Sequence, residues 1–371
     1  MSHLDQQWYI RTPIEDGEVF SSWLIRSALD IGCSPLTLIE ALWGKWRGLT
    51  IDLDRGITTE RLDSLLQHCF ESKLDIQQTM LRSYIPYFYD EFDQPCNPIP
   101  WILSLGIRNR SNISGRQLCT VCLKDPGSSP YLRLKWRMGW HCCCEKHQVR
   151  LIDYCPECGI SIQPFKIDLE HGSLAVCSLC KYDFRSFQSL RSDSNALSFQ
   201  MDADSVMETG TGLYDQCEIS SVEWFAIARS WLSEIRALVT SQNMNLIKMF
   251  KSLGIDLDIL KPITPLAFEY LNTNERTYLL SILRQIMSVP CSLIVQYSYD
   301  YDISKANFWD KRKNLPIQLQ QMKDAMIRPT RHSVSIRAAS SVNRPKSKAF
   351  VQRKYLKFLR KLNRNGSGYF D

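Results

Sequence analysis

No stretch of this 371-residue chain approaches the roughly 18–20 consecutive apolar residues that span a bilayer. The first twenty residues lack the basic start and apolar run of a secretory leader; after Trp8–Ile10 they are polar and acidic. A reducing, cytoplasmic compartment is therefore expected, with no membrane partner. The sequence has no G-x-x-x-x-G-K-[ST] loop to cradle phosphates, so the chain should not hydrolyse nucleotides itself, and Gly210-Thr211-Gly212 alone does not make such a loop. Both H-E-x-x-H and the H-x-E with P-C-x-x-C pattern of zinc deaminases are missing. His3, His68, His171 and His332 have no Ser or Cys arrangement around them, and no acid stands out as catalytic. Nor is there an internal repeat to support a solenoid. A binding protein is expected, not an enzyme.

Cysteine, by contrast, is abundant, at 14 residues. Where thiols stay reduced, paired cysteines hold metal more often than they form disulfides. Eight candidate ligands fall in four pairs, each with two intervening residues: Cys119/Cys122, Cys144/His147, Cys155/Cys158 and Cys177/Cys180. Two ligands at that spacing reach one tetrahedral ion from a tight turn, and two such pairs close a structural zinc site with no open position. Two zinc ions are expected. Sequential pairing joins Cys119 and Cys122 to Cys144 and His147, and Cys155 and Cys158 to Cys177 and Cys180; an interleaved cross-brace is the alternative. The run His141-Cys142-Cys143-Cys144 leaves the third ligand open. Cys144 restores the two-residue gap to His147, Cys143 competes with it, and Cys142 and His141 follow. Cys33, Cys69, Cys96, Cys217 and Cys291 are scattered and read as small core residues.

The net charge of +6 conceals an asymmetry. Twelve bases lie in the last 44 residues, namely Arg328, Arg331, Arg337, Arg344, Lys346, Lys348, Arg353, Lys354, Lys357, Arg360, Lys361 and Arg364, against the single acid Asp371. The remainder holds 33 basic and 38 acidic residues. A mildly acidic body thus ends in a basic tail, and nucleic-acid phosphates or a partner are its expected contacts.

With 44% apolar residues the chain can bury sizeable cores. The spacing of Phe20, Trp23, Leu24, Ile25 and Ala28 predicts a helix over 19–30. Ile31-Gly32-Cys33 breaks it, and Ser34 with Pro35 opens a second over 36–46. Thr59 is expected to cap a helix over 60–70, and Asp75 one over 76–85. Residues 86–100, with Pro95, Pro98 and Pro100, read as a linker or extended crossing. The alternation over Tyr131–Trp140 reads as a strand presenting Arg133, Lys135 and Arg137 on one face. Residues 186–211, rich in Ser and Asp, read as a loop or boundary. Ser220 with Glu223 forms a capping-box pattern before a helix over 224–239. Thr264-Pro265 is expected to start another, 274–287 a further one, and 350–362 a basic amphipathic one. The fold class is mainly α, in four segments. These are an N-terminal helix–turn–helix domain (1–115), a two-site zinc-binding region with short strands (116–190), a C-terminal helical bundle (191–327) and a basic tail (328–371).

Three blocks of residues resemble the TniQ/TnsD family of transposon target-selection proteins. One is Pro13 followed by Gly17-Glu18-x-x-Ser21-Ser22-Trp23-Leu24-x-Arg26. Another is Cys119-x-x-Cys122 with Tyr131-Leu132-Arg133-Leu134-x-Trp136-Arg137. The last is Cys144-x-x-His147, Leu151 and Cys155-Pro156-x-Cys158-Gly159. The resemblance implies a non-catalytic, bacterial adaptor with an N-terminal helix–turn–helix domain, zinc motifs and a helical C-terminal domain. It also implies two alternative modes: a TniQ-like homodimer docked on an RNA-guided Cascade complex, or a TnsD-like binder of an attachment site in duplex DNA. Both lead to the AAA+ regulator TnsC and the transposase. A helix–turn–helix and zinc transcription regulator is the reading from another class.

Overall fold

The computed structural model describes residues 7–46, 48, 52–89, 98–105, 115–241, 243–255, 257, 264–309, 314–326, 352 and 355. Residues Met1–Arg328 form one compact unit and Pro329–Asp371 a second. Helices dominate, and the strands among the described residues are two short antiparallel pairs.

The N-terminal layer begins with α1 (Phe20–Ile31), which stops where Gly32 adopts φ 85° and its N–H reaches back to the last turn. Three residues later α2 (Pro35–Trp43) starts under a Ser34 cap with Pro35 at its first position. Next come α3 (Thr59–Leu66) and α4 (Lys73–Gln78). Two caps differ from expectation. Thr58, not Thr59, precedes α3. Ser72 caps α4, with Asp75 closing a capping box from the third helical position. Phe20, Trp23, Leu24, Ile39, Leu65 and Ile76 close this layer's own core.

Two buried charge networks dock that layer onto the middle of the chain. Glu18 is fully buried; it accepts from Ser22 Oγ at 2.7 Å and from Arg26 Nη1 at 2.6 Å. Ser22 Oγ in turn accepts the Leu132 N–H at 2.9 Å, beside a bridge in which Val19 N donates to Leu132 O and Leu134 N to Gly17 O. In the other network Asp54, also fully buried, accepts from the guanidiniums of Arg116 and Arg137 and from the Ser21 N–H. Arg137 Nη2 also reaches Asp52 at 2.6 Å and Leu103 O at 2.9 Å. Burial alone would raise the Asp54 carboxyl, but the two guanidiniums outweigh it and hold it below the usual carboxylate range.

The stretch read as a strand over Tyr131–Trp140 is therefore something else. It pairs only through single bridges, Arg133 with Glu18 and Met138 with Ile102, and Leu134–Arg137 between them is a 3-10 turn. Arg133, Lys135 and Arg137 do not share a face: Arg137 is buried on Asp52 and Asp54, and Lys135 lies near Glu145, Asp204 and Glu208. Of the proline-rich segment residues 90–97 lie outside the described residues; at its ends Phe88 and Ile99 are buried, and Trp101, Ile102 and Leu103 just after it are buried too. Trp101 packs edge-on to Trp140 and Phe268, and Gly139 gives its N–H to Trp101 O at 2.6 Å. A Cβ on Gly139 would lie 2.9 Å from the Phe268 ring, so this approach needs glycine.

Behind this wall stand α5 (Ser194–Thr209), a hairpin of β3 (Thr211–Tyr214) and β4 (Cys217–Ser220), α6 (Ser221–Ser241) and α7 (Met244–Ser252). They are followed by α8 (Thr273–Met287), α9 (Cys291–Asp300) and α10 (Ile317–Ala325). The expected Ser220–Glu223 box opens α6. Two expectations fail. Residues read as a loop form α5, which packs on α8, and Thr264-Pro265 starts no helix beyond a 3-10 turn at Phe268–Tyr270. Cys217 is exposed, not a core residue, and Cys33 is half-buried. Among the described residues no single helix is long and apolar enough to cross a membrane.

Removing the Asp54 charge, as in Asp54→Asn, should cost about 3–5 kcal/mol, because it strands buried guanidiniums, and urea titration reads the loss. The sign with pH follows from the depressed carboxyl. This stabilisation is complete above about pH 4, the ordinary aspartate value, and disappears as pH falls through the lower folded value. In Asp54→Asn the acid limb of the stability–pH curve should flatten.

Candidate metal centres

The ligand pairs sit on tight turns that share one backbone device. Gln148 N donates to Cys144 O at 2.8 Å, Gly159 N to Cys155 O at 2.9 Å, and Lys181 N to Cys177 O at 3.0 Å. In each turn the donor directly follows the second ligand and is left-handed, with φ 51°, 71° and 60° respectively. Only Gly159 takes that conformation freely; Gln148 and Lys181 hold it at a cost of about 1–3 kcal/mol each, a strain that surrounding structure must over-determine. The remaining pair makes the same bond, Leu123 N to Cys119 O at 3.3 Å, but through a 3-10 turn at Cys122–Lys124 and without a left-handed residue.

The eight predicted residues form two groups, Cys119, Cys122, Cys144 and His147, and Cys155, Cys158, Cys177 and Cys180. Within each group the ligand atoms lie within 4.8 Å of one another, and each group joins neighbouring pairs in the chain. In the first, Cys122 and Cys144 Sγ are 3.6 Å apart, and His147 Nδ1 is 3.6, 3.3 and 3.4 Å from Cys119, Cys122 and Cys144. In the second, Cys155–Cys180 and Cys158–Cys177 are 3.6 and 3.7 Å apart. A tetrahedral zinc with ordinary bond lengths requires edges of about 3.8 Å between sulfurs and about 3.6 Å between sulfur and nitrogen. Both donor sets fit, and two metal ions could be held.

Electrostatics in the first group points the same way. Hydrogen bonds from Cys119 and Cys122 draw the Cys144 thiol down to about 2. Those same bonds and burial push Cys119 far up. A thiolate already gathered among thiols is the arrangement a divalent cation completes by displacing their protons.

The other cysteines of the run face elsewhere. Cys142 Sγ is 3.4 Å from Arg276 Nη1, and Cys143 belongs to neither group. Their backbone N–H groups both donate to Gln200 Oε1 at 3.2 Å. His141 Nε2 and Trp140 Nε1 share Asp204 Oδ1 at 2.8 Å each. Gln200 and Asp204 belong to α5, so the helix absent from the sequence reading holds the 140–143 loop from behind. Arg276, on α8, holds it from the side. Its Nη1 donates to Gly139 O and His141 O, and its Nη2 to Gln117 Oε1 at 2.8 Å. Nothing local in the sequence marks these three residues, because their partners are 57–159 positions away.

β1 (Cys143–Cys144) and β2 (Val149–Arg150) form the hairpin that carries Cys144 and His147 between them. Of the tail, only Gln352 and Tyr355 are described, both helical and exposed, so the twelve predicted basic contacts from Arg328 to Arg364 lie outside the described residues.

Residues 9–151 match the family model described as TniQ. The match runs from the N-terminal layer through the first ligand group and ends before the second. No curated protein matches the chain.

Elemental analysis of purified protein should return two zinc ions per chain, falling to one in Cys122→Ser and in Cys158→Ser. Cys142→Ser should keep both ions.

Proposed function

We propose that this chain, whose residues 9–151 belong to the TniQ family, is a non-catalytic adaptor that selects target sites in DNA transposition. In this reading both ligand groups hold structural zinc, and the protein acts as a homodimer linking an RNA-guided Cascade complex to the AAA+ regulator TnsC and the transposase. The family match carries the reading. Two features of the chain support docking to a protein–RNA complex over direct reading of duplex DNA by the N-terminal layer.

The first is charge. Residues 7–89 hold eight Lys and Arg against eleven Asp and Glu, the wrong balance for a surface that neutralises phosphates. The second is the makeup of α2, which a helix–turn–helix would place in the major groove. Its exposed positions are Leu36, Thr37, Glu40 and Ala41, with no base among them. In α1 the one arginine, Arg26, is buried on Glu18. A surface of this kind suits a protein partner.

The basic tail favours the second reading, in which the chain grips DNA directly. Its twelve bases against one acid supply a sequence-independent phosphate grip and no base readout.

Affinity pull-down should recover guide-loaded Cascade with the full chain, and deleting the gene should abolish targeted insertion while leaving transposase expression intact. Deleting 328–371 should lower affinity for any duplex and flatten its salt dependence, by about 0.9 in log–log slope for each phosphate that the tail neutralises. Tight, sequence-specific binding of one duplex by the chain alone, with no Cascade recovered, would replace the adaptor with a direct reader.

A further inference from the structure

The two ligand groups occupy unlike surroundings. Cys119 and Cys144 are buried in the main core, Cys122 and His147 are half-buried, and α5 and α8 brace the loop behind them. Arg133 lines the same small cavity as Cys122 and Cys144. Three thiolates and one imidazole around a divalent ion leave one net negative charge, which that guanidinium can balance. The second group carries four thiolates, hence two negative charges; its Cys155 and Cys177 are buried in the same core, but Cys158 and Cys180 are exposed where the first group's Cys122 and His147 are half-buried. Leu179, between two of its ligands, is 64% exposed.

Cys155, Ile162, Ala175, Cys177 and Phe184 anchor the ribbon around the second group in the main core, but among the described residues no α-helix braces its outer side as α5 and α8 brace the first loop. Its backbone pairing among the described residues comprises isolated bridges at Tyr154–Ser161 and Val176–Asp183, with 3-10 turns at Pro164–Lys166, Leu169–His171 and Phe184–Ser186. Yet this ribbon covers α1. Ile167 and Leu174 pack with Ile25 as an apolar cluster of their own, flanked by Leu29 and Val176. That cluster is separate from both larger cores. The opposite side of α1 is held independently, through Phe20 and Trp23 in the core of the N-terminal layer.

We propose that the outer ion, at Cys155, Cys158, Cys177 and Cys180, is a releasable clasp. Its loss uncovers the Ile25–Leu29 strip of α1 while the inner ion and the docked helix stay in place. The outer site is then a metal-dependent cover over an apolar strip of the N-terminal layer. This rests on the reading that both groups hold zinc.

The test uses the full zinc-loaded chain and a chromogenic chelator, with hydrogen exchange and carbene footprinting followed over the same time course. One equivalent should leave on the order of ten- to a hundredfold faster than the other, the range by which groups around a metal site alter its affinity. Over that fast phase, exchange should rise across 160–187 and labelling should rise at Ile25 and Leu29, while 116–124 and 139–151 stay protected. Cys158→Ser should load one ion and show the slow phase alone. Arg133→Ala, which keeps all eight ligands, should quicken only the slow phase. Release of both ions in one phase, or a fast phase with no rise in labelling at Ile25 and Leu29, would overturn the clasp and leave two-zinc loading intact. A chain that purifies with fewer than two ions would overturn the zinc reading itself, and the clasp with it.

Discussion

The buried Asp54 carboxylate is the constraint on which the rest of the structure depends. It receives a backbone N–H from the start of α1 and guanidinium donors from Arg116 and Arg137, which flank the Cys119/Cys122 pair in sequence. Two arginines in a dry interior repel each other and are stable there only with carboxylates between them. Asp52 and Asp54 supply that compensation and raise Arg137 above its usual value despite its burial. Because the four side chains come from segments far apart in the chain, the N-terminal helices and the metal loop can assemble only in the one register that satisfies all of them. An apolar interface tolerates sliding and repacking; a buried charge network with fixed donors does not.

The same logic explains the residues of the opening motif. Glu18, Ser22 and Arg26 are not a surface for a ligand, since all three are buried and bonded to one another. Ser22 accepts the Leu132 N–H, and Trp23 gives its indole N–H to Thr12 O at 2.9 Å. The motifs around 17–26 and 131–137 therefore belong together because each satisfies the other's backbone. A match spanning 9–151 covers both halves of that pairing. It is an internal docking signature, carried by the buried residues of both motifs.

What is legible in the sequence is local. Ligand pairs two residues apart, a capping box, a Gly after a helix and apolar residues at helical spacing all act within a few positions, so the eight ligands, α1, α2, α6 and α8 can be read directly. The departures are non-local. Alternation over 131–140 looks like a strand because Leu132, Leu134 and Trp136 are buried, but Arg137 is buried as well, through acids about eighty positions earlier. Helix α5 reads as a loop because polar residues interrupt its apolar face. Two of them, Gln200 and Asp204, are buried and bonded to the metal loop, which no helical periodicity can express.

Those buried polar residues also decide what the inner ion can be. An ion closing a free-standing finger supplies most of its folding free energy. Here the loop that carries Cys144 has further supports. Gln200 fixes the N–H groups of Cys142 and Cys143, and Asp204 fixes the rings of Trp140 and His141. Arg276 binds two carbonyls of the same loop and Gln117, next to Leu118 and Cys119. The first ligand pair and the second are thus held on one frame by a single arginine of α8, so an ion bound there would meet a geometry already largely set by protein. Four protein donors would fill a tetrahedral site here, and an ion so held would keep helices from both halves of the chain in register.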